Sequence, residues 1–451
     1  MLLPLERALR LVLALLLCPV GLVRAGQSGS GAGDLAGRSA TRSSASARTA
    51  VERARRWPDE AVLPLTGERI GLLPVAQQPA WRSYLATSVE RARALPPASS
   101  GEGAPPGPLS TPPTGGRHTR GLPPEGSVAS EWWAADEARA IADRVVAWQT
   151  PAGAWTKGID YSRPPERGGP ADVWSRGTFD NEATSAELRF LARVIAANSP
   201  ERARPWRAAF QRGLEYIFAA QYPNGGFPQI YPLAGGYHDA ITYNDSAMVR
   251  VLAILRDVAA RAPGLEFVPA TQTAEAAERL HRGVDCILET QIRTPDGRRT
   301  VWGQQHDSLT GRPCAARNFE PIAASALESA SICQFLMSLP ETTPVMSSAL
   351  DDAIAWFERV ALHDVEWHRA TVSGNGLLAA PGAPPLWARL YEIGTDRPIF
   401  GDRDRTIHYD VTEISSERRL GYQWYGRWPQ PVVAARRHAR DRPGPRHLDR
   451  P

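Results

Sequence analysis

The chain has 451 residues, 43% of them hydrophobic, with 40 Pro, 38 Gly and 14 Trp. That is enough apolar material for one large core or two ordinary ones, which excludes a wholly disordered or fibrous protein. The net charge of +4 sits at the ends: Arg7, Arg10 and Arg24 face only Glu6 in residues 1–25, and six arginines face Asp441 and Asp449 in residues 431–451. The stretch between is slightly acidic, so net charge gives no argument for a nucleic-acid partner.

In chain order, residues 1–25 read as a secretory signal: Arg7 and Arg10, an apolar run from Leu11 to Val23, then Val23-Arg24-Ala25 ending on a small residue. A lipoprotein signal at Cys18 is the rival, but Leu17 stands where a small residue is usual. Cys286, Cys314 and Cys333 match no zinc or haem spacing and read as buried thiols. No other apolar run approaches the ~20 residues needed to span a bilayer. The expected product is a secreted or periplasmic monomer without a membrane span.

Residues 26–129 form a leader rich in Pro, Gly and Ser, expected to be mostly disordered, with one short docking helix around Pro79–Leu85. From about Trp132 the texture changes to Ala, Leu, Arg and Glu at helical spacing, as in Glu131–Trp148 and Glu187–Ala197, and a catalytic body is expected over 130–430. Residues 431–451 read as a basic disordered tail.

Within the body a pattern recurs. Gln149 is followed by Pro151, Gly153 and Trp155; Gln221 by Pro223, Gly225, Gly226 and Phe227; Gln291 by Pro295, Gly297 and Trp302. The glutamines lie 72 and 70 residues apart, an interval that fits an antiparallel helix pair with its loops. Successive hairpins predict an all-α toroid with short β and irregular loops, whose mouths meet around one groove.

After each turn comes a polar cluster, and three clusters are read as equivalent: Thr178 to Thr184, Thr242 to Met248, and Ala316 to Glu320. An Asp or Asn ahead of a helix ordinarily caps it. Two Asp/Asn pairs at matching positions exceed that need, and four oxygen-bearing side chains suit a hard cation, with Ca2+ the candidate. His238, His306 and His408 are isolated and read as ordinary loop histidines. Among 52 basic residues Lys157 is the one lysine, which marks a place where a compact ammonium serves better than a planar fork. Arg317, Arg389 and Arg403 lie in separate segments and cluster only if the ring gathers them.

These residues resemble a known family. Trp155 to Asp160, Thr178 to Thr184, Ile241 to Met248, Gln305-His306-Asp307, Ala316-Arg317, Glu328-Ser329, Leu386 to Tyr391, Phe400 to Asp404 and Gly421 to Gly426 look like polysaccharide lyase family 10, the pectate lyases. The similarity runs through about residues 130–430. It implies an incomplete (α/α) toroid that cleaves polygalacturonate by Ca2+-assisted β-elimination. By motif, Arg317 is similar to the family's catalytic base, Asp180, Asn181 and Asp245 to its calcium-site residues, and Arg389 and Arg403 to arginines that hold substrate carboxylates; Lys157 is expected to bind substrate as well. Gly158 departs from a more usual Asn, and Arg405 stands where a Gly often follows the Arg-Asp pair.

Elimination removes the weakly acidic proton on C5 of a uronide, so cancelling the charge of the neighbouring carboxylate is the chemistry a cation and arginines would supply. A guanidinium with a pKa above ~12 is a poor base, which leaves Lys157 as the alternative. Trp155, Trp302, Tyr243 and Trp424 are candidates for stacking on sugar rings, against a core role. A glycoside hydrolase using carboxylates such as Asp180 with Asp245 or Glu320, and a non-catalytic pectin-binding protein, are the competing functions.

Overall fold

The computed structural model describes residues 55–57, 62–95, 120–124, 126–164, 176–368 and 376–441. The expected signal peptide, much of the leader and the end of the tail lie outside these residues. The helices are α1 (Gly67–Gly71), α2 (Gln78–Ala94), α3 (Asp136–Ala147), α4 (Ser185–Ala196), α5 (Pro200–Ala220), α6 (Ala247–Ala259), α7 (Ala270–Thr290), α8 (Ala326–Met337), α9 (Pro344–Val360), α10 (Ser416–Gly421) and α11 (Pro429–Asp441).

Short and long helices alternate. α4, α6 and α8 have 12, 13 and 12 residues, whereas α5, α7 and α9 have 21, 21 and 17. The short helices are buried around most of their circumference: α6 covers Met248, Val249, Val251, Leu252, Ile254 and Leu255. They form an inner layer in which α4 packs on α6 and α6 on α8. The long helices bury one stripe, such as Trp206, Phe210, Leu214 and Ile217 of α5, and pack outside as the second arm of each hairpin. Proline in the first turn with a hydroxyl cap starts two of them: Ser199 accepts from Arg202 N and Thr343 from Met346 N. The result is an incomplete (α/α) toroid.

The glutamine repeat has a structural cause. Gln149 Nε2 donates to Gly153 O at 2.6 Å and Ala209 O at 2.8 Å, Gln221 Nε2 to Gly225 O at 3.0 Å and Arg279 O at 2.9 Å, and Gln291 Nε2 to Thr300 O and Ala349 O, both at 2.9 Å. Each side chain ties its own turn to the long helix that follows. Gly153 and Gly225 have φ of +96° and +89°, and a Cβ there would meet Arg212 O at 2.8 Å or Arg282 O at 2.0 Å, so helix and turn touch backbone to backbone.

Past each aromatic the chain pairs with the approach to the next inner helix. Thr178 N donates to Trp155 O at 3.0 Å, Thr242 N to Phe227 O at 3.0 Å and Ser325 N to Trp302 O at 2.8 Å. The place matching Thr178 and Thr242 is therefore Ser325, which corrects the expected third cluster: Ala316 to Glu320 lies on the excursion that precedes it. The same register aligns the residues two beyond Trp155, Phe227, Trp302 and Trp387, namely Lys157, Gln229, Gln304 and Arg389, through Phe179 N to Gln229 O, Tyr243 N to Gln304 O and Ala326 N to Arg389 O.

Parts of the leader and of the tail are built into the body. α2 runs well beyond Pro79–Leu85; Trp81 is buried, its ring lies 5.3 Å from that of Tyr222, and the Tyr84 hydroxyl donates to Ala220 O at 2.9 Å. Arg55 and Arg56 add a strand beside Thr406–His408. At the other end α11 buries Val432 and Val433 and sets Arg436 on Asp351 at 2.8 Å. A few aromatic and branched residues within a polar composition suffice to dock each segment.

Candidate active site

The groove opens where α4 and α6 begin. Asn181, Glu182 and Thr184 have φ of +50°, +71° and +67°, and Asp245 and Ser246 have +49° and +63°. Such backbone is costly for residues with a Cβ and gathers at functional sites. The two loops pack against each other. Neither α4 nor α6 has a side-chain cap from its N-cap residue, and no Asp or Asn of these loops caps the helix that follows. Ordinary capping therefore does not account for the paired polar residues.

A line of polar contacts crosses the groove. Lys157 Nζ meets Asp180 Oδ2 at 2.6 Å. Arg389, 3% exposed, donates to Asn244 Oδ1 at 2.9 Å and to the fully buried Glu328, and lies 3.3 Å from Asp245 Oδ1. Its guanidinium also stacks 4.5 Å from the Tyr422 ring centre. The Tyr422 hydroxyl lies 3.0 Å from Glu320 Oε1 and 2.9 Å from the Gln304 side-chain amide, whose oxygen faces Arg389 and accepts from its Nη2 at 3.0 Å and Nε at 3.3 Å. Glu320 in turn accepts a fork from Arg317, with Nε at 2.7 Å and Nη2 at 2.5 Å. A buried network thus links Arg317 to the Asp245 loop.

Charge shapes these groups. Burial pulls the Arg317 guanidinium down, but the Glu320 carboxylate outweighs it and holds Arg317 above its ordinary value. Arg389 is raised in the same way, burial being outweighed by Glu328. Burial, with Lys157 and Arg317 nearby, brings His238 down to about 4, and its Nδ1 lies 2.7 Å from Gln229 Oε1. A neutral imidazole thus stands among the cations, a placement the isolated position of His238 in sequence did not reveal. Arg403 stands on the rim, exposed and forked onto Glu417 at 3.0 Å, and shares the Phe319 ring with Arg317 and Arg418.

Lys157, Asp180, Asp245, Arg317 and Arg389 are therefore gathered in one cluster of contacts, with Asn181 on the loop beside Asp180 and Arg403 at its exposed edge. Sequence reasoning missed Gln229, Gln304 and Tyr422, although the position two past each aromatic would have found the glutamines. Trp155, Trp302, Tyr243 and Trp424 are fully buried, which corrects their candidacy for stacking: the Trp155 and Trp302 indoles donate to Val145 O and Ile287 O, and Tyr243 bonds Thr290. His306 is buried too, brought down to about 4 by burial while its Nε2 accepts from Gly303 N at 2.9 Å.

For a hard cation, Asp180, Asn181 and Asp245 are the right type of donor, two carboxylates and an amide. Among the described residues no group of three or more His, Cys, Asp or Glu is arranged to hold a metal. The donor set thus fits an oxygen-seeking ion in kind and falls short in number, as a site does when water or a substrate carboxylate completes it.

Residues 149–433 match the family described as pectic acid lyase. Among solved structures, the chain is similar to a family 10 polysaccharide lyase from Cellvibrio cellulosa, at 31% identity and a TM-score of 0.61, over 68% of this chain and 94% of that one. It is also similar to an aspartate-to-alanine mutant of a family 10 polysaccharide lyase from Cellvibrio cellulosa in complex with trigalacturonic acid, at 30% identity and a TM-score of 0.62, over 68% and 95%. No curated protein matches. No helix among the described residues is long and apolar enough to cross a membrane. A toroid with a cation-lined groove, a family match over most of its body and these two relatives agree: the chain belongs to the pectic acid lyases and is a polysaccharide lyase of family 10.

Proposed function

We propose that the enzyme cleaves α-(1→4)-linked polygalacturonate by β-elimination. The observation that carries the reading is the meeting of Lys157, Arg317, Arg389 and Arg403 around the Asp180 and Asp245 loops, a set of cations suited to a polymer with one carboxylate per unit. The trigalacturonic acid held by the similar Cellvibrio lyase supports the same substrate.

In this reading the C5–H electron pair becomes the C4=C5 double bond, the C4–O bond breaks, and the departing sugar oxygen takes a proton from solvent. Lys157, Arg389 and Arg403 bind the C6 carboxylates and stabilise the enolate-like charge. Asp180, Asn181 and Asp245 would hold Ca2+, which supplies further neutralisation of the carboxylate when bound. Arg317 takes the C5 proton. Glu320 keeps it protonated at rest, so Arg317 acts as base only once it leaves that fork and faces cations instead, where like charge lowers its pKa.

Incubation with polygalacturonate tests this. Ultraviolet absorbance of the unsaturated product grows with Ca2+ and not with chelator, and Arg317→Ala loses about a thousandfold or more in kcat, the scale of a proton-transfer role. Reducing sugar released without absorbance would mean hydrolysis and overturn the reading.

A further inference from the structure

A cavity of about 490 Å3 lies beside the groove, outside the residues assigned to cleavage. One wall is Trp133 with Leu122 and Pro123; the other is the face of α4 carrying Arg189, Phe190 and Arg193, closed by Arg250 of α6. Glu182 lines it as well, and Glu182 is bonded to Asn181 in the strained loop, so cavity and groove share that loop as a wall.

Its lining is cationic and aromatic. Three guanidiniums stand against one carboxylate in the lining. Arg250 pairs with Glu182, Arg189 with Asp257 at 3.0 Å, and Arg193 lies over the Trp133 ring at 5.2 Å. Burial pulls Arg250 down to about 10, so its charge is under-solvated even beside Glu182. Trp133 and the buried Phe190, with ring centres 5.6 Å apart and planes tilted by 59°, add apolar aromatic carbon to the lining, of the kind the C–H groups of a pyranose contact. The cavities beside Gln77 and beside Trp387 lack this combination: the first has no guanidinium and the second has Arg437 alone.

We propose that this cavity is a distal binding site for a sugar carboxylate, taking a uronate unit of the polymer several residues from the bond that is cleaved. The inference rests on the galacturonan reading above. A distal site contributes only when the substrate is long enough to reach it, so its signature is a dependence on chain length.

The experiment compares trigalacturonate with an oligogalacturonide of eight or more units in wild type, Arg193→Gln and Trp133→Phe, with Trp133→Leu as the more disruptive partner. Expected is a KM for the long substrate raised about five- to tenfold at unchanged kcat, while kcat/KM for the trimer stays within twofold. No change at any length, or an equal change at both, overturns the proposal, the second because a merely structural defect acts on all substrates alike. Calorimetric titration with D-galacturonate reads the cavity without turnover: affinity falls in Arg193→Gln, and an unaltered affinity counts against the site. A wild type that releases no unsaturated product would instead sink the galacturonan reading.

Discussion

Two layers of the same turns obey different rules. Where each turn leaves a helix, Gln149, Gln221 and Gln291 make one repeated pair of bonds to backbone carbonyls. Where it reaches the groove, the residue two past the aromatic varies, being Lys157 in the first turn, glutamine in the next two (Gln229 and Gln304) and Arg389 in the last. The clamp fixes the spacing of hairpin against hairpin through the main chain. Groove side chains can then differ without moving the scaffold, which is how a rigid frame carries a site.

The largest effect is expected on the groove side, where stability and chemistry meet in one residue. Arg389→Ala removes the cation from a fully buried Glu328 together with a bond to Asn244. An uncompensated buried charge costs about 3–5 kcal/mol, so the variant should melt early and lose activity. Arg389→Met with Glu328→Gln separates the two roles: denaturant titration should recover most of the stability, while the rate on polygalacturonate stays down by a hundredfold or so. Recovery of both would strip Arg389 of its part in binding substrate.

Next comes a group that belongs to neither the clamp nor the groove line. Glu187 lies fully buried in the first turn of α4, with Oε1 accepting from the Tyr161 hydroxyl at 2.8 Å and Oε2 without a partner. Burial raises it to about 7 against an ordinary 4.5. A raised folded pKa means the native state holds the proton between those values, so stability is full below about pH 4.5 and falls as pH rises through 7. Glu187→Gln removes that slope. Relative to wild type it should gain on the order of 2–3 kcal/mol between pH 5 and pH 8, read from urea midpoints; a constant difference across that range would mean Glu187 is ionised throughout.

Within the clamp itself, Gln291 is buried and serves Thr300 O and Ala349 O, whereas Gln149 is partly exposed. Gln291→Ala takes a bond from Thr300 O and from Ala349 O, the latter keeping its bond within α9, and should cost about 1–2 kcal/mol, with Gln149→Ala costing less because water can take its place. Both should keep wild-type kcat below their melting temperature. A lost kcat at full stability would show that the clamp sets groove geometry directly.

How much of this was legible follows from how local each signal is. The 72- and 70-residue intervals between glutamines, and helix-stopping Pro and Gly, report local chemistry, and the toroid follows from them. Lys157 stood out because arginine fills every other basic position. The network of Glu320, Tyr422 and Gln304 was hidden because its members lie 102 and 118 residues apart and meet only through the fold. The third polar cluster was misplaced because Arg317 sits on an excursion inserted before Ser325, which shifts the motif without breaking the helix repeat. α2 was read only over Pro79–Leu85, and α11 escaped notice, because composition averaged over a window conceals how few residues, such as Val432, suffice to anchor a helix.

The smallest effect bears on why the groove loops accept backbone cost. Arg405 has φ of +66°, a region glycine enters freely, and it stands where a Gly often occurs in proteins of this pattern. Its N–H closes a turn onto Asp402 O at 3.0 Å, its carbonyl accepts from Trp57 N at 3.2 Å, and its Nε donates to Asn318 Oδ1 at 3.1 Å. Both main-chain bonds survive in Arg405→Gly; the steric strain of about 1 kcal/mol is relieved, and the greater freedom of glycine in the unfolded chain returns part of that gain. The net expectation is a rise of about 0.5 kcal/mol by denaturant titration. If strain is retained here for the sake of the side chain, as the variable groove positions suggest, the same variant should show a KM for polygalacturonate raised about threefold. Greater stability at an unchanged KM would mean that the arginine serves neither the frame nor the substrate.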